Sequence, residues 1–451
     1  MPLIRAKLTF VGSRVRAAIV VIIVLMLAGT VQAREWPTFK HDSQRTGYTD
    51  YTAPDTDEIA WTFDAGGALS SPVVDNYTVF VGSGEGYLYA IDVFNGKEIW
   101  KFEVGGCISS PTVFGSRVFF GSCDNYVYCL SAATGENFWK YQTRGAIYSS
   151  PAVDNNVVYI TSTDNYVYAI NVLTGELVWE KNLENFNIIT SSPVVHNGSV
   201  FVGTWRGTVY SLRTIDGSVN WSYNTEESGT AFSSSLLDFA ITSTPALADG
   251  YIYFGSGDGN LYALDMETGN NLWKFKANGR IESSPAVAYD LVYFGSSDDN
   301  IYAISTENGG LEWSYITEGL VQASPAVIDN KIFITSQDGY IYALNAKNGE
   351  LIWKHYIGAT GSASPAAAYG KIFVGTSDGK LYCFGSWGSV PGGDIGKGII
   401  CISIAILLIL MFWGLTRLKI PKPKSKKVRK RRKPKRMEKK PMPKRVRRRR
   451  K

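Results

Sequence analysis

"LYALDMETGNNLW" (261–273) reads as one strand, a tight turn at Thr268-Gly269 and a second strand ending in Trp273. Alternating aromatic and aliphatic residues around an Asp/Thr/Gly turn suit a hairpin. Related stretches recur as "AIDVFNGKEIW" (90–100), "CLSAATGENFW" (129–139), "AINVLTGELVW" (169–179), "AISTENGGLEW" (303–313) and "ALNAKNGELIW" (343–353). A weaker copy, "SLRTIDGSVNW", occupies 211–221. The tryptophans fall at Trp61, Trp100, Trp139, Trp179, Trp221, Trp273, Trp313 and Trp353, 39–42 residues apart except for one spacing of 52.

Prolines in an "SSP"-like context keep the same period, at Pro72, Pro111, Pro151, Pro193, Pro245, Pro285, Pro325 and Pro365. Each unit divides into four strand-like pieces, as in "SSPVV", "VFVGS", "YLYAID" and "KEIWKF". A period near 40 with four strands per unit predicts a β-propeller. The unit after Pro365 lacks a Trp strand, whereas "EIAWTF" (58–63) has no unit before it. An N-terminal strand that completes the last blade resolves both facts and leaves no open sheet edge. The expected fold is therefore all-β, an eight-bladed propeller closed by an N-terminal strand. One buried aromatic per unit removes about 150–250 Å² from water, so the tryptophans read as blade-docking residues.

These units resemble the tryptophan-docking repeats of pyrroloquinoline-quinone (PQQ) propellers, whose pattern is roughly A-x-D-x-x-T-G-x-x-x-W. "EWPTFKHDSQRTG" (35–47) resembles the lead-in of secreted propellers of this type. The resemblance implies the fold over about 34–387 and leaves the activity open. Quinone dehydrogenases of this kind carry two adjacent cysteines over the cofactor, a Glu/Asn/Asp calcium site and a catalytic Asp. Here no two cysteines are adjacent and no haem-attachment motif occurs. Other members are non-enzymatic, such as the lipoprotein scaffold of bacterial outer-membrane assembly. The expectation is a non-enzyme without a cofactor, with PQQ and calcium as the alternative.

Charge divides the chain. Residues 417–451 hold 22 of the 46 basic residues, whereas 34–395 carry a formal net charge of −20. Basic residues Arg5, Lys7, Arg14 and Arg16 precede an apolar run from Ala17 to Ala28, which predicts a signal peptide over 1–33. The uncharged run 399–415, followed at once by basic residues, predicts a transmembrane helix over 398–416 with its C-terminus cytoplasmic. The organisation expected is a propeller over 34–387 with a lead-in segment at 34–57, a linker at 388–397, the span, and a disordered basic tail at 417–451. The propeller is then extracytoplasmic, in the periplasm or at the cell surface. The tail suits anionic lipid headgroups. Nothing in it supports nucleic-acid binding.

Candidate functional residues cluster where the repeat decays. Acids recur in the b–c turns, at Glu85, Asp124, Asp164, Asp258, Asp298, Asp338 and Asp378, and Arg206 breaks the series. Turn chemistry accounts for the acids. Trp205 and Arg206 precede the weak repeat, and the 52-residue spacing places an insert at 224–240 with Phe232, Leu236, Leu237 and Phe239. Connections b–c and d–a share one face of a propeller, so these residues form one candidate partner-binding site, together with Arg280, Glu282 and Gln322. Cys107 and Cys123 are placed for a disulfide across a hairpin. Asn76 and Asn197 lie in glycosylation sequons. The function expected is a protein-binding or scaffold module of the cell envelope, binding an envelope or surface protein. The alternatives are a quinone-dependent oxidoreductase and a receptor for glycan or envelope polymer.

Overall fold

The computed structural model describes residues 35–183, 188–225, 238–358 and 363–386. These form an eight-bladed all-β propeller. The expected transmembrane helix, the signal peptide and the basic tail lie outside the described residues, as do Phe232, Leu236 and Leu237. Among the described residues no helix is long and apolar enough to cross a membrane.

Seven blades follow one another along the chain. The blade containing the opening stretch has strands a to d at Ala246–Ala248, Tyr251–Gly255, Asn260–Asp265 and Asn271–Lys276. Strand a begins after the Ser/Thr-Pro pair rather than at "SSP", because proline lacks the N–H a ladder needs. The middle strands are buried along nearly their whole length, whereas the outer d strands alternate towards solvent. That gradient matches residues packed between neighbouring sheets on the inside and facing water on the rim.

The eighth blade closes the ring as the repeat count requires. Its strands Ala366–Ala368, Lys371–Gly375 and Lys380–Phe384 are completed by Ile59–Asp64, with Trp61 opposite Cys383 and Asp64 opposite Lys380. Each docking Trp faces a small residue across its own hairpin, as Trp273 faces Ala263 and Trp139 faces Cys129. Cys129 and Cys383 are fully buried and reduced, small residues in the same slot.

The indoles join the blades. Trp61 Nε1 donates to Val93 O at 2.8 Å, Trp139 to Val172 O at 2.9 Å and Trp221 to Met266 O at 3.1 Å. In each case the acceptor lies in the next blade's c–d turn. The glycine of that turn lies against the ring: a Cβ on Gly269 would sit 2.6 Å from Trp221 Cδ2.

The lead-in segment occupies the central channel. Trp36 bridges Val74, Thr38 bridges Thr112, and the carbonyls of Gln44, Thr46 and Gly47 accept from Leu247, Val287 and Val327. Tyr48–Thr49 then adds a parallel strand to Ala326–Ile328. One short segment therefore binds the innermost strands of five blades, and Arg45 adds a sixth blade through Pro151 O at 2.7 Å.

Candidate functional site: the channel mouth

The residues that precede the eight a strands converge on one end of the channel. There the recurring Ser/Thr-Pro pairs form a girdle. The N–H of one blade donates to the next blade's hydroxyl: Ser71 to Ser110 (3.1 Å), Ser150 to Ser192 (2.9 Å), Thr244 to Ser284 (2.9 Å), Ser284 to Ser324 (3.0 Å) and Ser324 to Ser364 (3.0 Å). Ser364 N donates to Ser71 Oγ at 2.8 Å and carries the chain of bonds across the closure. The fixed place of these serines before each proline is visible in the sequence, but their role as a ring of acceptors is not.

Inside the girdle lies a cavity of ≈280 Å³. Phe39 of the lead-in segment lines it, as do Thr190, Thr242, Glu282, Gln322 and Tyr148. Gln322 Nε2 donates to Glu282 Oε2, and Gln337 Nε2 donates to Gln322 Oε1. Behind the wall are two buried cations. Lys40 Nζ donates to Ser284 O (3.1 Å) and Pro325 O (3.0 Å), and burial holds its ammonium pKa well below the usual lysine value. Arg45 donates to Thr38 Oγ1 (2.7 Å), Phe39 O and Pro151 O, and burial lowers its guanidinium to about 10. Asp42 is the carboxylate beside them. Burial opposes its ionisation, but bonds from His41 and Thr46 hold its pKa below the usual value. Nothing in "FKHDSQR" announces that two of its cations are buried.

The candidate partner residues stand round this mouth. Trp205 Nε1 donates to Thr190 Oγ1 at 2.8 Å, which fastens the indole to the cavity rim in blade 4. Arg206, next to it, is exposed. Phe239 is half-buried, and its carbonyl accepts from Ser256 Oγ at 3.4 Å. Arg280 pairs with Asp238 at 2.8 Å, tying the end of the insert to the connection that follows the blade Ala246–Lys276. Trp205, Phe239, Arg280, Glu282 and Gln322 thus lie on one face, round the channel.

The b–c acids have a structural task. The hydroxyls of Tyr128, Tyr168, Tyr262, Tyr302 and Tyr342 donate to the carboxylates of Asp124, Asp164, Asp258, Asp298 and Asp338 at 2.6–2.8 Å. Burial and the adjacent carboxylate push these phenol pKa values up. The same acids accept the N–H two residues on, as Asn300 N donates to Asp298 at 3.1 Å. The i, i+4 Asp/Tyr pairing is present in the sequence and is the signal for this task beyond turn chemistry. Arg144, also on this face, is held internally by Glu180 at 2.7 Å and Tyr168 at 3.1 Å.

Cys107 and Cys123 are disulfide-bonded at the mouth, with Cα atoms 5.2 Å apart. Asn76 and Asn197 are exposed in a–b turns on the opposite face. The described residues of the mouth do not supply a calcium site beside a quinone. Among the described residues the cavity wall offers one carboxylate, Glu282, where calcium takes 6–8 oxygens from one compact site. The disulfide at the mouth joins residues 16 apart rather than neighbours. Among the described residues no three His, Cys, Asp or Glu side chains are grouped to hold a metal ion.

No curated protein matches the chain. Solved structures share its fold. A europium-containing methanol dehydrogenase superposes with a TM-score of 0.69 at 14% identity, covering 78% of this chain and 98% of the enzyme. BamB from Moraxella catarrhalis gives 0.62 at 18% identity, covering 72% and 98%. The quinohemoprotein alcohol dehydrogenase from Comamonas testosteroni gives 0.67 at 16% identity, covering 80% and 82%. At these identities the likeness is one of fold. A family profile matches residues 49–125, 105–238 and 225–387, and on that match the chain belongs to the family described as outer membrane protein assembly factor BamB.

Proposed function

We propose that this protein is a membrane-anchored, extracytoplasmic propeller that acts as a non-catalytic, protein-binding scaffold of the cell envelope. The observation that carries the reading is the cluster at the mouth: Trp205 fastened to Thr190 and Arg280 paired with Asp238, beside the connection that the 52-residue spacing lengthens. A rigid scaffold that presents an irregular loop is the usual design of a binding surface. Family membership supports a scaffold role, and the single carboxylate among the described wall residues speaks against a quinone with calcium.

Both ends of the described propeller lie on the face opposite the mouth. Glu35 accepts from Asn76 N in an a–b turn at 3.1 Å, and Gly385 N donates to Glu58 O at 2.8 Å. In the proposed arrangement this face is turned to the membrane, and the mouth looks outward to the partner. The basic tail is then on the cytoplasmic side, against anionic headgroups.

The test is site-specific photocrosslinking in intact cells. A photoreactive residue at Arg206 or Arg280 should capture one discrete protein, and the same residue at Asn156, in an a–b turn, should not. Equal capture from both faces, or none from the mouth, would overturn the reading.

A further inference from the structure

We propose that the cavity at the channel mouth binds a neutral, polyhydroxylated ligand the size of one pyranose ring. The proposal stands independently of the scaffold reading.

Size comes first. At ≈280 Å³ the cavity lies at the lower end of small-molecule sites, with room for about one saturated six-membered ring and its substituents. The lead-in segment runs through the channel behind it and contributes Phe39 to the wall.

The chemistry of the wall comes next. Hydroxyl side chains dominate it, and each can both donate and accept. The girdle oxygens of Ser110, Ser192, Ser284 and Ser324 accept a backbone N–H from the preceding blade, which leaves their own O–H for the channel. Thr242 Oγ1 is buried and has no hydrogen-bond partner among the described residues. A wall able to donate and accept around its whole circumference matches a ligand that does the same. Phe39 at the floor and Tyr148 at the rim, 55% exposed, supply aromatic surface for the C–H groups of a sugar-like ring.

Charge decides against the alternatives. Among the described residues Glu282 is the charged side chain of the wall, held in place by Gln322, and a carboxylate-bearing ligand would meet it. Lys40 and Arg45 do not reverse that balance: neither lines the cavity, and the hydrogen bonds they make go to Thr38 and to the carbonyls of Ser284, Pro325, Phe39 and Pro151. Glu282 and Gln322 together present fixed acceptors and donors, the pair that recognises vicinal hydroxyls.

The experiment is saturation-transfer difference NMR on the full-length protein in lipid nanodiscs, free of sugar-based detergent. The probes are D-glucose, D-galactose, D-mannose and N-acetyl-D-glucosamine, with citrate as the anionic comparator. The expected result is saturable binding of at least one neutral sugar at roughly millimolar affinity. Glu282→Ala should weaken it about ten-fold or more, since hydrogen bonds to charged groups are the strong ones. Thr242→Phe, which fills the cavity, should abolish it. Tyr148→Ala, at an exposed rim position, leaves the core untouched and should weaken binding about three-fold or more through lost aromatic contact even if the other two variants misfold. No saturable signal from any neutral sugar, binding unaltered in the folded variants, or citrate binding more tightly than every sugar would each overturn the proposal.

Discussion

Trp353 packs its indole against the ring of Phe384, with centroids 5.7 Å apart, and its Nε1 has no hydrogen-bond acceptor among the described residues. The other seven docking tryptophans each donate to a carbonyl in the following blade's c–d turn. The exception follows from the closure. Blade 8 takes its d strand from Ile59–Asp64, so it has no c–d turn to offer, and the end of strand c supplies an aromatic ring instead.

Trp313 and Trp353 are buried alike, at 9% and 8% exposure, but only Trp313 has an acceptor, Ala346 O at 3.0 Å. Trp313→Phe should therefore cost more stability than Trp353→Phe, by about 1 kcal/mol, the worth of one buried hydrogen bond. Urea unfolding of the two variants measures the difference.

Gly269 has φ +72° and lies against Trp221, whereas Gly115 has φ +60° and open space where a side chain would be. Gly115→Ala should cost about 1 kcal/mol, for the left-handed backbone alone. Gly269→Ala adds a collision with the indole and should cost about 3 kcal/mol or more. Quenching or red-shift of tryptophan emission should accompany only the second.

Asp75 sits beside Glu35 at the start of the channel segment. Burial first, then the charge and hydrogen bond of Glu35, raise its pKa from 3.8 to about 7. Between those values the folded protein keeps a proton that the unfolded chain has released. The stabilisation is full below 3.8 and is lost as pH rises through about 7. Thermal unfolding midpoints should fall across that window in the wild type and fall less in Asp75→Asn.

The Cys107–Cys123 bond closes a loop of 16 residues, for which chain entropy predicts about 3 kcal/mol. Cys107→Ser with Cys123→Ser should lower unfolding stability by about that amount. Thiol titration of the denatured wild type should find three reactive cysteines of the five without reductant and all five with it.

Much of the architecture was legible because it repeats. Eight Trp and eight Pro positions at one period expose the blade count, and the orphan strand at Trp61 exposes the closure, without any long-range information. The candidate site was legible only as an irregularity. Arg206 and the 52-residue spacing marked the junction, but the bond from Trp205 to Thr190 joins a b–c turn to the segment before strand a, 15 residues away, and no local pattern encodes it. The acids of the b–c turns show the reverse case. Their tyrosine partners lie four residues on in the same hairpin, close enough to have been read from sequence.

The sequence alone determined the fold class, the number of blades and the manner of closure, since hairpin turns, strand alternation and docking indoles are local and recur. Only the tertiary structure decided what fills the channel. Lys40 and Arg45, polar and charged by composition, are buried because the ring brings the carbonyls of Ser284, Pro325 and Pro151 to them from three blades. A buried cation is tolerable only where distant acceptors converge, and convergence round an axis is a property of the closed ring, not of any segment of the chain.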